Sequence, residues 1–165
     1  MEKKIINYLQ HKEELLCFTQ KKKEYIWREL QRLQSDCGKN DIIGSAIGGS
    51  SEGISSGIGG YASDLSKVLL DCNATLEQRK ESYEDYLLET IKEEIDIIET
   101  WKFFTQLEMQ EYQILNALYI ENQTWEAIAY DFKLSIRTIG RIRAKAIKKI
   151  VEKLEKFHRE STVLI

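Results

Sequence analysis

A chain of 165 residues, 42% hydrophobic and 31% charged, has the composition of a helix-rich globular protein of one or two small domains. Its apolar runs fall short of the ~20 residues of a membrane span, and the opening MEKK leads into alternating charge rather than the apolar block of a signal peptide, so a cytoplasmic protein is expected. The net charge of −3 weighs against a nucleic-acid binder taken over the whole chain, but it is unevenly spread: residues 84–111 hold nine acids against Lys92 and Lys102, while the last third is basic.

Cys17, Cys37 and Cys72 are widely spaced and form no CxxC pair, so neither a disulfide framework nor a zinc site is suggested and they read as buried or incidental reduced thiols. In a reducing compartment the sequons at Asn73 and Asn122 carry no meaning.

From Glu2 to about Gln34 neither Gly nor Pro interrupts the chain, and Ile5, Leu9, Leu15, Leu16, Tyr25, Ile26, Leu30 and Leu33 keep approximate helical spacing. One long helix is predicted, within an N-terminal segment 1–37. Lys21 to Arg28 interleaves cations with Tyr25 and Trp27, as single-strand binders do when they stack bases on aromatics. No second aromatic platform follows, and a solvated cationic face beside aromatics packed on a partner helix accounts for the pattern.

Residues 38–60 differ in kind: they carry eight of the nine glycines and five serines, and their isolated Ile residues share no period. Such a segment buries too little apolar surface to offset its conformational entropy, so 38–62 reads as a flexible linker. It lacks the GKS or GKT of a phosphate-binding loop and the strand-to-helix setting of a dinucleotide site.

A second long helix is predicted over 63–104, capped by Ser63 or Asp64. Leu65, Val68, Leu69, Cys72 and Leu76 begin a stripe that continues through Tyr83, Leu87, Ile91, Ile95, Ile98 and Trp101. Thr75 with Gln78 forms a potential capping box, where a separate helix could start. Two long helices with one apolar stripe each bury them against each other, as an antiparallel hairpin, or against a second copy of the chain.

Thr105 and Glu108 make a further capping box, opening a helix through Tyr112, Leu115, Leu118 and Tyr119 that ends at Glu121 and Asn122. Thr124 then caps a short helix with Trp125, Ile128, Ala129 and Phe132 facing inward and Glu126 in its first turn. Leu134 plugs the corner, and Ser135 caps a second helix on which Ile139, Ile142, Ala146, Ile150, Leu154 and Phe157 form a core stripe reaching about Phe157. Leu115, Leu118, Trp125, Ile128, Leu134, Ile139 and Ile142 are the expected core of this domain, 105–159. Roughly opposite the stripe lie Arg137, Arg141, Lys145 and Lys148. From Lys133 to Arg159 there are ten Lys or Arg and two Glu, a concentration of one sign that seeks a polyanion.

The segments TWEAIA from Thr124, FKLS from Phe132 and RIRAKAIKKI from Arg141 resemble the promoter-reading fourth region of bacterial sigma factors. The details at Trp125, Glu126, Ile128 and Ala129, and at Ser135, Arg137 and Thr138, are more similar to phage late-transcription activators of the ArpU and RinA type. The resemblance implies DNA binding near a phage promoter through the start of the second helix. Its motifs cover the last third of the chain; over the first two thirds it is one of layout.

In a helix-turn-helix the N-terminal residues of the recognition helix meet base edges, which makes Ile136, Arg137, Gly140 and Arg141 the candidates for base contact. Arg137 and Arg141 can each grip a guanine edge with two hydrogen bonds. Gly140 departs from the long side chain common there in sigma factors and lets the backbone approach DNA closely. Thr124, Ser135, Thr138, Arg143, Lys145 and Lys148 are the candidates for phosphate contact.

Little points to catalysis. His11 and His158 stand at opposite ends of the chain. Glu155 and His158 have the Glu-x-x-His spacing of di-iron bundles, but in one copy only, and Glu93, Glu94, Asp96 and Glu99 read as a solvated acidic face. No enzyme, cofactor or metal is expected.

The sequence therefore predicts an all-α protein: a long N-terminal helical hairpin with a flexible Gly/Ser loop, then a C-terminal three-helix domain carrying a helix-turn-helix. Its expected role is a DNA-binding transcription regulator, a phage or prophage late-gene activator in the cytoplasm of a bacterial host. Double-stranded DNA, bacterial RNA polymerase and a second copy are its partners in that view. A partial sigma-like factor and a helical scaffold or packaging subunit are the competing readings.

Overall fold

The computed structural model describes residues 1–35 and 61–162, and among them the chain is all-helical. The helices are α1 (Glu2–Gln10), α2 (Lys12–Gln34), α3 (Tyr61–Thr105), α4 (Met109–Tyr119), α5 (Trp125–Phe132) and α6 (Ile136–Thr162). The predicted Gly/Ser linker lies outside the described residues, except that its last positions, 61 and 62, already belong to α3. Among the described residues no helix is long and apolar enough to cross a membrane.

The chain forms two compact units, Met1–Thr19 with Lys92–Ile165, and Gln20–Ile91. The N-terminal helix is thus grouped with the C-terminal helices. In the first unit one cluster joins Ile5 and Leu9 of α1, Phe104 of α3, Leu115 and Tyr119 of α4, and Ala146, Ile147 and Ile150 of α6. Most of these side chains are fully buried, the Ile, Leu and Phe among them each worth roughly 1.5–3 kcal/mol of transfer free energy. Phe104 also lies edge-on to Trp101, with ring centroids 5.3 Å apart, and 4.7 Å from the ring of Tyr112. In the second unit Ile26, Leu30 and Leu33 of α2 and Leu76 of α3 are buried. There the Tyr83 phenol is pushed above its ordinary pKa by burial and by the nearby Tyr25 and Glu29.

Several local expectations need correction. The single N-terminal helix is two, broken at His11 (φ −125°, ψ 29°). A continuous helix would bond the Tyr8 carbonyl to the Lys12 N–H; that carbonyl instead accepts the Trp101 indole N–H at 2.9 Å. Conversely, α3 runs unbroken past Asn73, and the Thr75 hydroxyl, expected to cap a new helix, donates back to the Asp71 carbonyl at 2.9 Å instead. Further along α3 the stripe is rotated: Ile95 and Ile98 are 40% and 49% exposed, while Ile97, Thr100 and Phe104 are buried. Trp27, expected on a partner helix, is exposed as well, whereas Tyr25, also exposed, does lie beside Tyr83 of α3.

The Thr105–Glu108 capping box does not form. Thr105 donates to the Lys102 carbonyl at 2.8 Å, closing α3, and Glu108 occupies the N-cap of α4 with its carboxylate turned to Lys149 at 2.9 Å. Asp96, expected on a solvated acidic face, is buried and holds Lys4 at 2.8 Å and His158 at 2.6 Å. Burial pulls the Lys4 pKa down, but the hydrogen bond to Asp96 helps hold the ammonium above its ordinary value.

Candidate functional site

The C-terminal helices are connected as local chemistry dictates. Thr124, extended and just before α5, accepts the Ala127 N–H on its side chain at 3.3 Å. At the other end Lys133 adopts the left-handed conformation (φ 54°) and its N–H returns to carbonyls of the last turn, closing α5 without a glycine. Ser135 Oγ then accepts the Thr138 N–H at 3.2 Å and starts α6. Leu134, half-buried in this three-residue connection, packs beside a second cluster made by Ile114 and Ala117 of α4, Ile128 of α5 and Ile139 of α6. Ile128 and Ile139 are fully buried as expected; Leu118, Phe132 and Ile142 pack against them half-exposed. Trp125 does not join this core and is 36% exposed, lying at the first position of α5.

α6 extends 27 residues to Thr162, beyond the predicted end at Phe157, and is ~40 Å long. Its buried line is Ile139, Ala146, Ile147, Ile150 and Leu154, with Phe157 half-exposed.

The candidate site residues divide by face. Ile136 is 48% exposed, Arg137 and Arg141 are exposed, and Gly140 stands between them on the same side of the helix, a Cβ there meeting nothing within 4 Å. Neither Arg137 nor Arg141 has an acidic partner among the described residues. Lys145 and Lys148 are exposed on the following turns, Lys145 lying 3.4 Å from Glu111 and Lys148 lying 3.7 Å from Glu152. Thr124 and Ser135 are exposed but occupied as caps, and the Thr138 hydroxyl lies 2.8 Å from that of Ser135.

Arg143 is on the other face. Its Nε donates to the Tyr119 hydroxyl, its guanidinium stands over the Tyr119 ring, and Glu2 of α1 pairs with it at 3.2 Å. Burial raises the Tyr119 pKa although Arg143 opposes the shift. Arg137 and Arg141 thus place two exposed guanidiniums with no acidic partner among the described residues in the first two turns of α6, while further along Lys153 donates to Gln106 and Arg159 to the Glu155 carbonyl.

The acidic partners were not singled out from the sequence. Glu111 is buried and accepts two contacts from Lys149, at 2.7 and 2.8 Å, tying α4 to α6. Hydrogen bonds to Glu111 and then Glu108 hold Lys149 above its ordinary pKa, and Lys149 in turn draws Glu108 below the usual carboxylate value. The signal for Arg143 was present: it follows Ile139 by four residues and precedes Ala146 by three, the spacing of the core stripe itself.

Among the described residues no group of three or more His, Cys, Asp or Glu is placed to hold a metal ion. His158, noted for its spacing from Glu155, is bonded to Asp96.

No curated protein and no solved structure matches the chain. One family model matches residues 58–152, from before α3 into α6. That match spans more than half of the sequence, and the chain belongs to the family described as protein of unknown function (DUF722).

Proposed function

We propose that the chain is a sequence-specific regulator of transcription that binds double-stranded DNA through α6, with α4 to α6 acting as a three-helix unit and α5–α6 as its helix-turn-helix. The observation that carries this is the pair Arg137 and Arg141: two exposed guanidiniums one turn apart, at the start of the longest C-terminal helix, with no acidic partner among the described residues. An unpaired cation pair at the head of a helix that follows a tight, well-capped turn has the chemistry to grip guanine edges in a major groove. Lys145 and Lys148 extend the same side toward phosphates.

The likeness of residues 124–150 to sigma region 4 and to late-transcription activators of the ArpU and RinA type supports a phage or prophage activator working with bacterial RNA polymerase. The helices of 20–91 would serve as a hairpin or as the contact to a second copy.

Binding to random and to selected duplex DNA across a salt series tests the proposal. A reader of this kind loses affinity with a slope of about −0.9 per neutralised phosphate, and Arg141→Ala flattens its sequence preference. A chain that retains no duplex at low salt, or whose preference survives Arg141→Ala, is no such reader; a helical scaffold or packaging subunit would then be the better description.

A further inference from the structure

The face of α6 that carries Arg137 and Arg141 is not uniformly cationic. Ile136, Gly140 and Ala144 succeed one another at intervals of four and lie beside the two arginines. Ile136 is an exposed β-branched side chain at the first helical position, and Ala144 is exposed one turn beyond Gly140. A Cβ at Gly140 would meet none of the described residues within 4 Å, so their packing does not require glycine there, and glycine costs helix stability. An apolar strip therefore runs beside two guanidiniums that lack acidic partners, and among the described residues nothing covers it.

The guanidiniums supply charge complementarity to a polyanion, and a DNA major groove offers one apolar feature at its floor, the 5-methyl group of thymine. We infer that Ile136 reads thymine methyl groups next to the guanines gripped by Arg137 and Arg141, with Gly140 leaving room for the groove to come close, an inference that rests on α6 being the base-contacting helix. The two arginine Cα atoms are ~6 Å apart along the helix, about two base-pair steps. The preferred site should accordingly place thymine within a step or two of guanine.

The test uses the full chain. A preferred duplex is selected from a random pool and remade with deoxyuridine replacing each thymine in turn, which removes the methyl and preserves base pairing. The wild-type chain is expected to lose about fourfold in affinity for each contacted methyl, with an unchanged salt slope. Ile136→Ala should bind the two duplexes alike at the position Ile136 reads. Because each protein is compared across two DNAs, any effect of the substitution on folding cancels. Equal binding of both duplexes by the wild type, or a full methyl effect persisting in Ile136→Ala, overturns the inference and leaves the DNA-binding proposal standing. Failure to bind any duplex at low salt overturns both.

Discussion

Arg143 Nε donates to the Tyr119 hydroxyl on the inner side of α6, while Arg141, two residues earlier, is exposed with no acidic partner among the described residues. The separation follows from the ~100° that an α-helix turns per residue. Two arginines in one basic segment therefore have opposite duties. Arg143→Ala removes a half-buried hydrogen bond and the packing of its stem on Tyr119, and should destabilise the fold by about 1–3 kcal/mol. Arg141→Ala should leave stability within about 0.5 kcal/mol. Thermal melts of the two variants, followed by circular dichroism, check the contrast; equal losses would contradict it.

Asp96 joins α1, α3 and α6 through Lys4 and His158. Its carboxylate is 9% exposed, whereas Lys4 and His158 are 47% and 42% exposed and can turn to water once it is gone. Asp96→Ala should therefore cost about 2 kcal/mol, below the range for breaking a wholly buried pair. Urea unfolding measures this, and Lys4→Met should cost less, since Asp96 keeps His158.

Thr124 contributes the side-chain cap of α5. Thr124→Ala should lower stability by about 1 kcal/mol, and Thr124→Asp should retain it, because aspartate caps the same N–H and suits the positive end of the helix. A melting series over the two variants decides between capping and mere solvent exposure.

Burial holds the phenols of Tyr8 and Tyr119 above their ordinary pKa of 10, so each keeps its proton in the fold when the unfolded chain has begun to release it. Their stabilising effect is fully present below pH ~10 and is lost as pH rises from there through their raised folded values. Lys149, also raised above its ordinary value by Glu111 and Glu108, acts in the same direction. A spectroscopic titration should show the Tyr8 and Tyr119 phenols ionising above the ordinary tyrosine value, with stability falling over the same interval. On the acid side, Glu108 is lowered by Lys149, and its contribution is present above pH ~4.5 and lost as pH falls through its depressed value.

What the chain specifies locally could be read before the structure. Thr124 and Ser135 as caps, Leu134 at the corner, and the stripe through Ile139, Ala146, Ile150 and Leu154 all depend on residues within a few positions of one another. The same reading put Ile95 and Ile98 on the inner face of α3 and continued a helix through His11. Both depend on partners that local periodicity does not carry, since an apolar spacing fixes the pitch of a stripe more firmly than the neighbour it meets.

By itself the sequence determined an all-helical protein, a tight capped connection between α5 and α6, and a basic α6. Only the tertiary structure decided which charges remain free. Trp101 reaches a carbonyl 93 residues away and ends α1; Glu111 engages Lys149, 38 residues on; Glu2 and Tyr119 turn Arg143 inward. A charge is paired or free according to what lies within a few ångströms of it, and across such separations that proximity is set by packing of the apolar core.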